Sequence, residues 1–203
     1  MYNKKFELIL AFLKENVDRI HKNSDIFTTD GQQKLYQKYQ KSLSTEMILS
    51  KPNTIPDIAV SVILQSNLNL SDEEVKYIEE THQYSMVAEN IVGFLLEKYI
   101  ASILENYHWI WCPGSIVKAI DFIKLNADNT WEVVQVKNRD NTENSSSSQI
   151  RNGTKIKKWF RSFSKESKKR KSNTNWENFP EKEFRNLLSE EGFLNFIRDQ
   201  MKR

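Results

Sequence analysis

Two short apolar runs decide the fold: Ile120-Asp121-Phe122-Ile123-Lys124-Leu125 and Trp131-Glu132-Val133-Val134-Gln135-Val136. Both runs are rich in β-branched and aromatic residues, the composition that favours strands. Between them lies a polar segment, residues 126–130 (Asn-Ala-Asp-Asn-Thr), of the kind that closes a hairpin. We therefore predict a β-hairpin over residues 120–137, and we interpret the remainder of the chain in relation to it.

The predicted hairpin brings three chemically useful side chains to one end. Strand side chains alternate between faces, so Gln135 and Lys137 share a face. Asp121 lies near the start of the partner strand. A carboxylate, an amide carbonyl and an ammonium group can therefore converge. Mg²⁺ prefers one or two carboxylates together with substrate phosphate oxygens and waters, and a neighbouring lysine can orient an attacking water. The pattern predicts a hard-cation site beside a lysine.

An aspartate, a hairpin and a (D/E/Q)-x-K triplet that closes an apolar strand resemble the PD-(D/E)XK nuclease motif. The resemblance extends over residues 89–137. In many members the helix before this core projects a glutamate towards the metal, which implies Glu97 here, within Gly93-Phe94-Leu95-Leu96-Glu97-Lys98. Glu89 is the reserve, about 80° away around the helix.

Two positions depart from that motif. Ile120 stands where the motif has proline, and Gln135 stands where it usually has an acid. An amide can still bind Mg²⁺ through its carbonyl oxygen, but one negative charge is lost. The helix glutamate is therefore more necessary in this chain than in members with an acidic triplet.

A narrower resemblance follows from residues 135–148 (QVKNRDNTENSSSS), with Ile150-Arg151, Gly153-Thr154 and Trp159-Phe160 after them. This block is similar to SinI-type type II restriction endonucleases. The resemblance implies an α/β (α+β) fold, with a small mixed sheet flanked by helices. It also implies Mg²⁺ as cofactor and a cognate DNA methyltransferase as functional partner. The implied substrate is unmethylated double-stranded DNA with a short G/C-rich palindromic site around a central A·T pair.

The segment after Lys137 is rich in groups that can contact DNA. Residues 137–171 contain twelve Lys or Arg and three Asp or Glu, a local net charge of +9. The whole chain has a net charge of +3, so the remaining residues sum to −6. Asn, Arg and Ser side chains match base edges, whereas lysines suit phosphates. The predicted base-reading residues are Asn138, Arg139, Asn141, Asn144, Ser145, Ser146, Ser147 and Arg151, and the predicted backbone contacts are Lys155, Lys157, Lys158 and Arg161. The alternative is a solvated, flexible loop.

The organisation of the chain is predicted from its periodicity. Residues 1–84 form a helical N-terminal portion packed on a nuclease core, residues 85–203, within one structural domain. Apolar residues at helical spacing predict a helix over residues 85–105. We also expect a helix that carries Ile150, Ile156, Trp159 and Phe160, and a last helix over residues 184–197.

Composition narrows the function classes. Cys112 is the only cysteine, so an internal disulfide and a Cys-based zinc site are excluded. No apolar stretch reaches 18 residues and the N-terminus lacks a signal-peptide pattern, so we expect a soluble cytoplasmic protein. A palindromic target favours a two-fold homodimer. Two alternatives remain at this level: a Holliday-junction or repair nuclease with the same core, and a DNA-binding module with a decayed site.

Overall fold

The structure is a computed structural model that describes residues 2–22, 24–50, 52–140 and 155–202. The chain divides into two compact units. We call Met1–Glu46 with Phe94–Arg203 the sheet unit, and Met47–Gly93 the helical unit. No helix among the described residues is long and apolar enough to cross a membrane. The predicted division between residues 84 and 85 stays a prediction.

A four-stranded mixed sheet forms the centre of the sheet unit. Its strands are β1 (Ile110–Trp111), β2 (Phe122–Leu125), β3 (Trp131–Arg139) and β4 (Lys157–Ser162), in the order β1-β2-β3-β4. Strands β1, β2 and β3 pair antiparallel, and β4 pairs parallel to β3. This sheet with its flanking helices confirms the predicted α+β fold class.

The predicted hairpin is confirmed as β2 and β3. Phe122 pairs with Val134, and Leu125 pairs with Trp131. The turn is closed by the amide of Asn126, which donates to the carbonyl of Thr130 at 2.9 Å. Asn129 occupies the left-handed region at φ 61°, a conformation that asparagine tolerates well.

Two N-terminal helices cover one face of the sheet. They are α1 (Lys4–Glu15) and α2 (Thr29–Ser44), and each is capped by a side chain, Asn3 for α1 and Thr28 for α2. Their apolar stripes join inward-facing strand residues in one buried cluster. Its members include Phe6, Ile9, Phe12, Leu13, Leu35, Tyr39, Ile110, Ile123 and Val133. The helical N-terminal prediction holds for this part of the chain.

Aromatic residues from β4 and the C-terminal segment pack together in a second cluster. Trp159 of β4 lies 5.0 Å from Trp176 and 5.1 Å from Phe179, measured between ring centroids. Tyr99 contacts Trp176 and Phe193 from the opposite side. Phe193 belongs to α5 (Glu190–Met201), the last helix of the chain. This helix begins later than expected, since Phe184 ends a short 3-10 turn, Lys182–Phe184.

The helix predicted around Ile156, Trp159 and Phe160 is wrong, because residues 157–162 form β4. The buried residues of this edge strand, Trp159 and Ser162, are three positions apart, a spacing that does not distinguish a strand from a helix. Pairing with β3 satisfies the backbone here, with Val136 opposite Trp159. Ile150, the first residue of that predicted helix, lies outside the described residues.

The helical unit contains α3 (Ile58–Leu68) and the first part of α4 (Asp72–Leu104). Ser71 caps α4, because its hydroxyl accepts the amide of Glu74 while the Glu74 carboxylate accepts the amide of Ser71. The helix expected over residues 85–105 is the second part of this continuous helix of 33 residues.

Candidate active site

Asp121 is fixed at the start of the hairpin by three hydrogen bonds. Its amide donates to the carbonyl of Val134 at 3.0 Å, and its carbonyl accepts the amide of Cys112 at 2.8 Å. Its carboxylate oxygen Oδ2 accepts the amide of Val136 at 2.7 Å. Because Val136 stands between Gln135 and Lys137, the carboxylate is held against the middle of the Q-x-K triplet.

Gln135 and Lys137 both lie on β3, as predicted. Gln135 is buried with only 2% of its surface exposed, whereas Lys137 is half-buried. The charge of Lys137 lowers the pKa of both Asp121 and Glu97. The electrostatic influence of the ammonium group therefore reaches both carboxylates.

Glu97 comes to this site from α4. Its Oε2 accepts the indole N–H of Trp111 at 3.0 Å, and the Trp111 ring also packs on Phe94 at 5.7 Å between centroids. Glu97 and Asp121 interact electrostatically. Glu89, the reserve candidate, is an exposed residue of the helical unit. The structure thus brings Glu97 together with Asp121 and Lys137.

Burial controls the ionisation of the two carboxyl groups. It raises the pKa of Asp121 to about 6, while the amide of Val136 and the charge of Lys137 act in the opposite direction. Burial, followed by the charge of Asp121, raises the pKa of Glu97 well above its ordinary value. Trp111 and Lys137 partly offset that rise. Two acids with raised pKa values beside one lysine are a feature that functional sites often show.

The donor atoms fit a hard divalent cation. One oxygen of each carboxylate accepts an N–H, from Val136 and Trp111 respectively. The other oxygen of each makes no hydrogen bond to any described residue. Within residues 2–22, 24–50, 52–140 and 155–202 no three His, Cys, Asp or Glu side chains group into a metal site. A cation here would need a third oxygen donor, which the amide of Gln135 and the substrate phosphate can supply.

Comparison with known proteins identifies the family. The family model described as SinI restriction endonuclease matches residues 2–203. The chain belongs to the SinI restriction endonuclease family. It is 41% identical over 205 residues to the type II restriction enzyme Eco47I of Escherichia coli, covering 98% of this chain and 87% of that protein. It is 40% identical over 207 residues to the type II restriction enzyme SinI of Salmonella infantis, covering 99% and 88%.

These similarities confirm the predicted family and the predicted class of activity, a sequence-specific restriction endonuclease. They extend over nearly the whole chain, so the sheet unit and the helical unit are both part of the family's common sequence.

Some of the residues predicted to contact DNA are described by the structure. They lie on β3, which carries the Q-x-K triplet, and on or just before the neighbouring strand β4. In this family member β3 continues past Lys137 through Asn138 to Arg139, and Arg139 is exposed. Lys157 and Lys158 open β4, and Lys155 is exposed just before that strand. The remaining predicted base-reading residues lie outside the described residues: Asn141, Asn144, Ser145, Ser146, Ser147 and Arg151.

Two of the predicted phosphate contacts also hold the protein together. Lys157 forms ion pairs with Glu132 at 2.8 Å and Glu181 at 2.6 Å. Arg161 donates from Nε to Asn138 Oδ1 at 3.0 Å, and its guanidinium also pairs with Glu190. The Arg161 contact positions the end of β3, and both sets of contacts leave less of either charge available for a phosphate.

Sequence reasoning missed Trp111 and the amide of Val136. Trp111 was part of an aromatic run with no assigned role, and only the pairing of β1 with β2 reveals what its N–H contacts. A backbone amide has no sequence signature. The useful signal was the position of Asp121, one residue before the first pair of the hairpin (Phe122 with Val134), from which its side chain reaches the N–H of Val136.

Proposed function

We propose that this restriction endonuclease hydrolyses DNA phosphodiesters with a water activated at a Mg²⁺ site formed by Asp121, Glu97 and Gln135. The supporting observation is the hydrogen bond from the Val136 amide to Asp121, which places the carboxylate between Gln135 and Lys137. A sequence-specific nuclease is already established by the family; the metal and the residue roles are the proposal.

Each residue has a separate role. Val136 fixes one oxygen of Asp121, so the other oxygen is directed for cation binding, and Trp111 does the same for Glu97. Gln135 supplies a neutral carbonyl oxygen. Lys137 donates hydrogen bonds that orient the attacking water and stabilise charge on the phosphate. When bound, Mg²⁺ supplies Lewis-acid chemistry: it acidifies water and offsets charge developing on the phosphate oxygens.

Recognition is proposed to lie just after the catalytic lysine. Arg139 and Asn138 extend β3 beyond Lys137, where a duplex seated on the triplet would pass. Residues 138–151 would read the bases of a short palindromic site, and Lys155 and Lys158 would hold phosphates. A homodimer would match the symmetry of such a site. A cognate methyltransferase would protect host DNA, and the proposed location is the cytoplasm, where the enzyme would meet its DNA.

One observation favours a second candidate, a DNA-binding module without catalysis. Gln135 replaces the acid that most related triplets carry, which removes a negative ligand. The electrostatic coupling of Glu97 to Asp121 weighs against this candidate, because it retains a second carboxylate in the site.

The test compares single substitutions in a plasmid-cleavage assay with Mg²⁺. Lys137→Ala should lower the cleavage rate at least about 100-fold, which is what loss of one transition-state donor typically causes. DNA affinity measured without metal should change little. Lys124→Ala is the matched control, since Lys124 lies on the same hairpin with its ammonium over the ring of Trp109. Wild-type cleavage by Lys137→Ala contradicts the proposed site.

Four further variants distinguish the proposed metal ligands from one another. Gln135→Glu should retain cleavage because it restores the commoner ligand, and Gln135→Ala should not. Glu97→Ala should abolish Mg²⁺-dependent cleavage, whereas Glu89→Ala should cleave normally. The non-catalytic candidate is supported if wild-type protein retards cognate DNA but leaves it intact with Mg²⁺ and with Mn²⁺.

A further inference from the structure

A cavity of about 820 Å³ opens between three segments of the sheet unit. The segments are the connection between α1 and α2, the first turns of α2, and the loop that joins β1 to β2. We call this cavity the basic pocket, after the groups that line it: His21, Lys22, Lys34, Lys38, Ser115 and Lys118. The proposed function gives none of these residues a role.

Two hydrogen bonds hold the walls of the basic pocket together. The ammonium group of Lys38, on α2, donates to the hydroxyl of Ser115 at 2.6 Å. The amide of Lys118 donates to the carbonyl of Arg19 at 2.9 Å. Both bonds join the β1–β2 loop to the N-terminal helical segments, so the Lys38 ammonium group and the Lys118 backbone are positioned before any ligand arrives.

The lining of the basic pocket is positively charged. It contains four lysines and two aspartates, a net charge of +2. Both aspartates already have partners close to them in the chain. Asp30 forms an ion pair with Lys34 at 2.6 Å, and Asp25 accepts two hydrogen bonds from its own turn. The other three lysines, Lys22, Lys38 and Lys118, pair with no carboxylate among the described residues.

His21 lies among these lysines with an unsatisfied ring nitrogen. Its Nε2 is buried and has no hydrogen-bond partner among the described residues. Burial, and then the charges of Lys38 and Lys118, lower the pKa of the imidazole, so the ring is neutral at pH 7. A neutral imidazole can donate one N–H. An anion in the pocket would accept that N–H and would offset the charges of the two lysines.

A phosphate group is the anion that these side chains fit. Lysine binds phosphate as a point charge, whereas a planar carboxylate is matched best by the fork of arginine. The described lining contains lysines, a histidine and a serine hydroxyl but no arginine. A metal cation would be repelled by the net charge of +2. The pocket therefore favours a phosphate oxygen as its ligand.

The place of the basic pocket in the fold favours the DNA backbone as the source of that phosphate. The β1–β2 loop runs directly into β2, and Lys118 stands three residues before Asp121. Three residues of chain span at most about 11 Å, so a duplex that binds at Asp121 passes within reach of this loop.

We propose that the basic pocket binds a phosphate group of the DNA backbone, other than the one that is cleaved, through Lys38, Lys118 and His21. This inference rests on the proposed function, because it starts from a duplex seated on the Q-x-K triplet. A contact of this kind positions the duplex without reading its sequence.

The first test compares DNA affinities across a salt series without metal. Lys38→Gln combined with Lys118→Gln should weaken the binding of cognate and scrambled duplex alike. The loss should be at least about 10-fold, which corresponds to one lost hydrogen bond between charged groups, and the salt slope should fall by about one. The matched control is Lys14→Gln combined with Lys41→Gln, two exposed lysines of α1 and α2 outside the pocket. Equal affinities and slopes for the two double variants contradict the proposal.

A further variant keeps both lysines. Ser115→Asp places a carboxylate beside the Lys38 ammonium group, where it would compete with a phosphate. It should weaken the binding of both duplexes as the double variant does. Ser44→Asp adds the same charge at an exposed position at the end of α2 and controls for it. If Ser115→Asp binds DNA as tightly as Ser44→Asp, the pocket does not hold the backbone.

The second test observes the basic pocket directly, through the NMR signals of the imidazole nitrogens in metal-free protein. The chain has three histidines, and the signals of His21 are assigned by their loss in His21→Gln. Cognate duplex should shift the His21 signals. His82, which is exposed in the helical unit, should not respond and is the reference within the same molecule.

A titration with inorganic phosphate distinguishes the two sources of the ligand. A His21 shift with the duplex supports the proposal. A shift with inorganic phosphate and none with the duplex overturns DNA as the source, and no shift with either overturns the pocket as a phosphate site. These outcomes do not depend on cleavage. If the wild-type protein fails to cut with Mg²⁺, the proposed catalytic site is contradicted, while a His21 shift with the duplex still supports the pocket.

Discussion

At the scale of single residues, Asp121 shows a conflict between stability and activity. Its carboxylate is half-buried close to Glu97, and burial raises its pKa to about 6. Above that pH Asp121 is ionised in a buried position, and its charge raises the pKa of Glu97, while Lys137 acts on both carboxyl groups in the opposite direction. Without a divalent cation the buried charge of Asp121 destabilises the folded protein, whereas under the proposed function the same charge would bind the cation.

Asp121→Asn should therefore stabilise the metal-free protein while abolishing cleavage. The amide can still accept the Val136 N–H but carries no charge. A gain of about 1–3 kcal/mol is expected, which raises Tm by about 2–4 °C per kcal/mol in a chain of this size. The pKa is higher in the folded state, about 6 against 3.8, so the folded protein binds more protons. Wild-type stability is then lost as pH rises from about 4 to 6.

The measurement is thermal unfolding in EDTA between pH 4 and 8. The difference in Tm between Asp121→Asn and wild type should be largest at pH 8 and should vanish near pH 4. Asp128→Asn is the control with the opposite sign, because the hydroxyl and amide of Thr130 lower the pKa of this exposed carboxylate. If Asp121→Asn has a lower Tm than wild type at pH 8, then the buried charge of Asp121 does not destabilise the folded protein and the prediction is wrong.

Trp111 should act as a positioning residue for Glu97. Trp111→Phe keeps a ring beside Phe94 but removes the N–H that holds Oε2 of Glu97. Loss of an outer-shell partner typically lowers metal affinity about 10–100-fold, so the Mg²⁺ concentration for half-maximal cleavage should rise by that factor. The rate at saturating Mg²⁺ should change less.

Trp131→Phe makes the same chemical change at a matched position. The indole N–H of Trp131 donates to Glu15 at 2.7 Å, on the side of α1. Its Mg²⁺ dependence should equal that of wild type. Identical Mg²⁺ curves for both tryptophan variants would mean that the hydrogen bond to Glu97 has no role in metal binding.

At the scale of elements, the parallel pairing of β4 determines how far the site extends. β3 continues to Arg139, with Lys137 opposite Phe160 and Arg139 opposite Ser162. The hydroxyl of Ser162 donates to the carbonyl of Asn138, and the Arg161 guanidinium holds the Asn138 side chain. The chain is therefore still held by hydrogen bonds just after Lys137, the proposed catalytic lysine, where base recognition is proposed to begin.

Arg139 and Lys158 should affect DNA binding in different ways. Arg139→Ala should lose about 1–3 kcal/mol of discrimination between cognate and scrambled duplex. Lys158→Ala should weaken binding to both duplexes alike and lower the salt slope by about one. Lys157→Ala should do less, because Glu132 and Glu181 already pair with that ammonium.

Affinities for both duplexes across a salt series, measured without metal, provide the check. Lys41→Ala, an exposed lysine in the last turn of α2, controls for loss of a surface charge. If Arg139→Ala keeps the wild-type ratio of cognate to scrambled affinity, this position does not read the sequence.

The sequence was informative where chemistry and local structure coincide. Asp121, Gln135 and Lys137 were predictable because alternation along one strand and one hairpin determines their relative positions. β4 was not predictable, because its partner β3 is distant in the chain and its two buried residues, Trp159 and Ser162, show no strand alternation. Glu97 could be proposed only by resemblance, since its approach to Asp121 depends on how α4 packs on the sheet.

At the scale of the whole molecule, the two units differ in charge. The helical unit contains seven Asp and Glu and two Lys, a net charge of −5 within a total of +3, which leaves +8 for the sheet unit. DNA, which is a polyanion, is attracted to the positively charged sheet unit and repelled by the negatively charged helical unit. This division of charge agrees with the proposal that DNA binding and cleavage take place in the sheet unit.

Cognate DNA should therefore protect lysines of the sheet unit from chemical acetylation and leave Lys76 of the helical unit unprotected. Lys76 is exposed on α4 among acidic residues, so it reacts without DNA and provides an internal reference in the same molecule. Lys155 and Lys158, beside the site, should lose most of their reactivity in the complex. The measurement is site-resolved mass spectrometry of Lys137→Ala protein with and without cognate duplex, since we expect this variant to bind without cutting. Protection of Lys76 as strong as that of Lys155 would place DNA on the helical unit, and the proposed restriction of DNA binding to the sheet unit would be wrong.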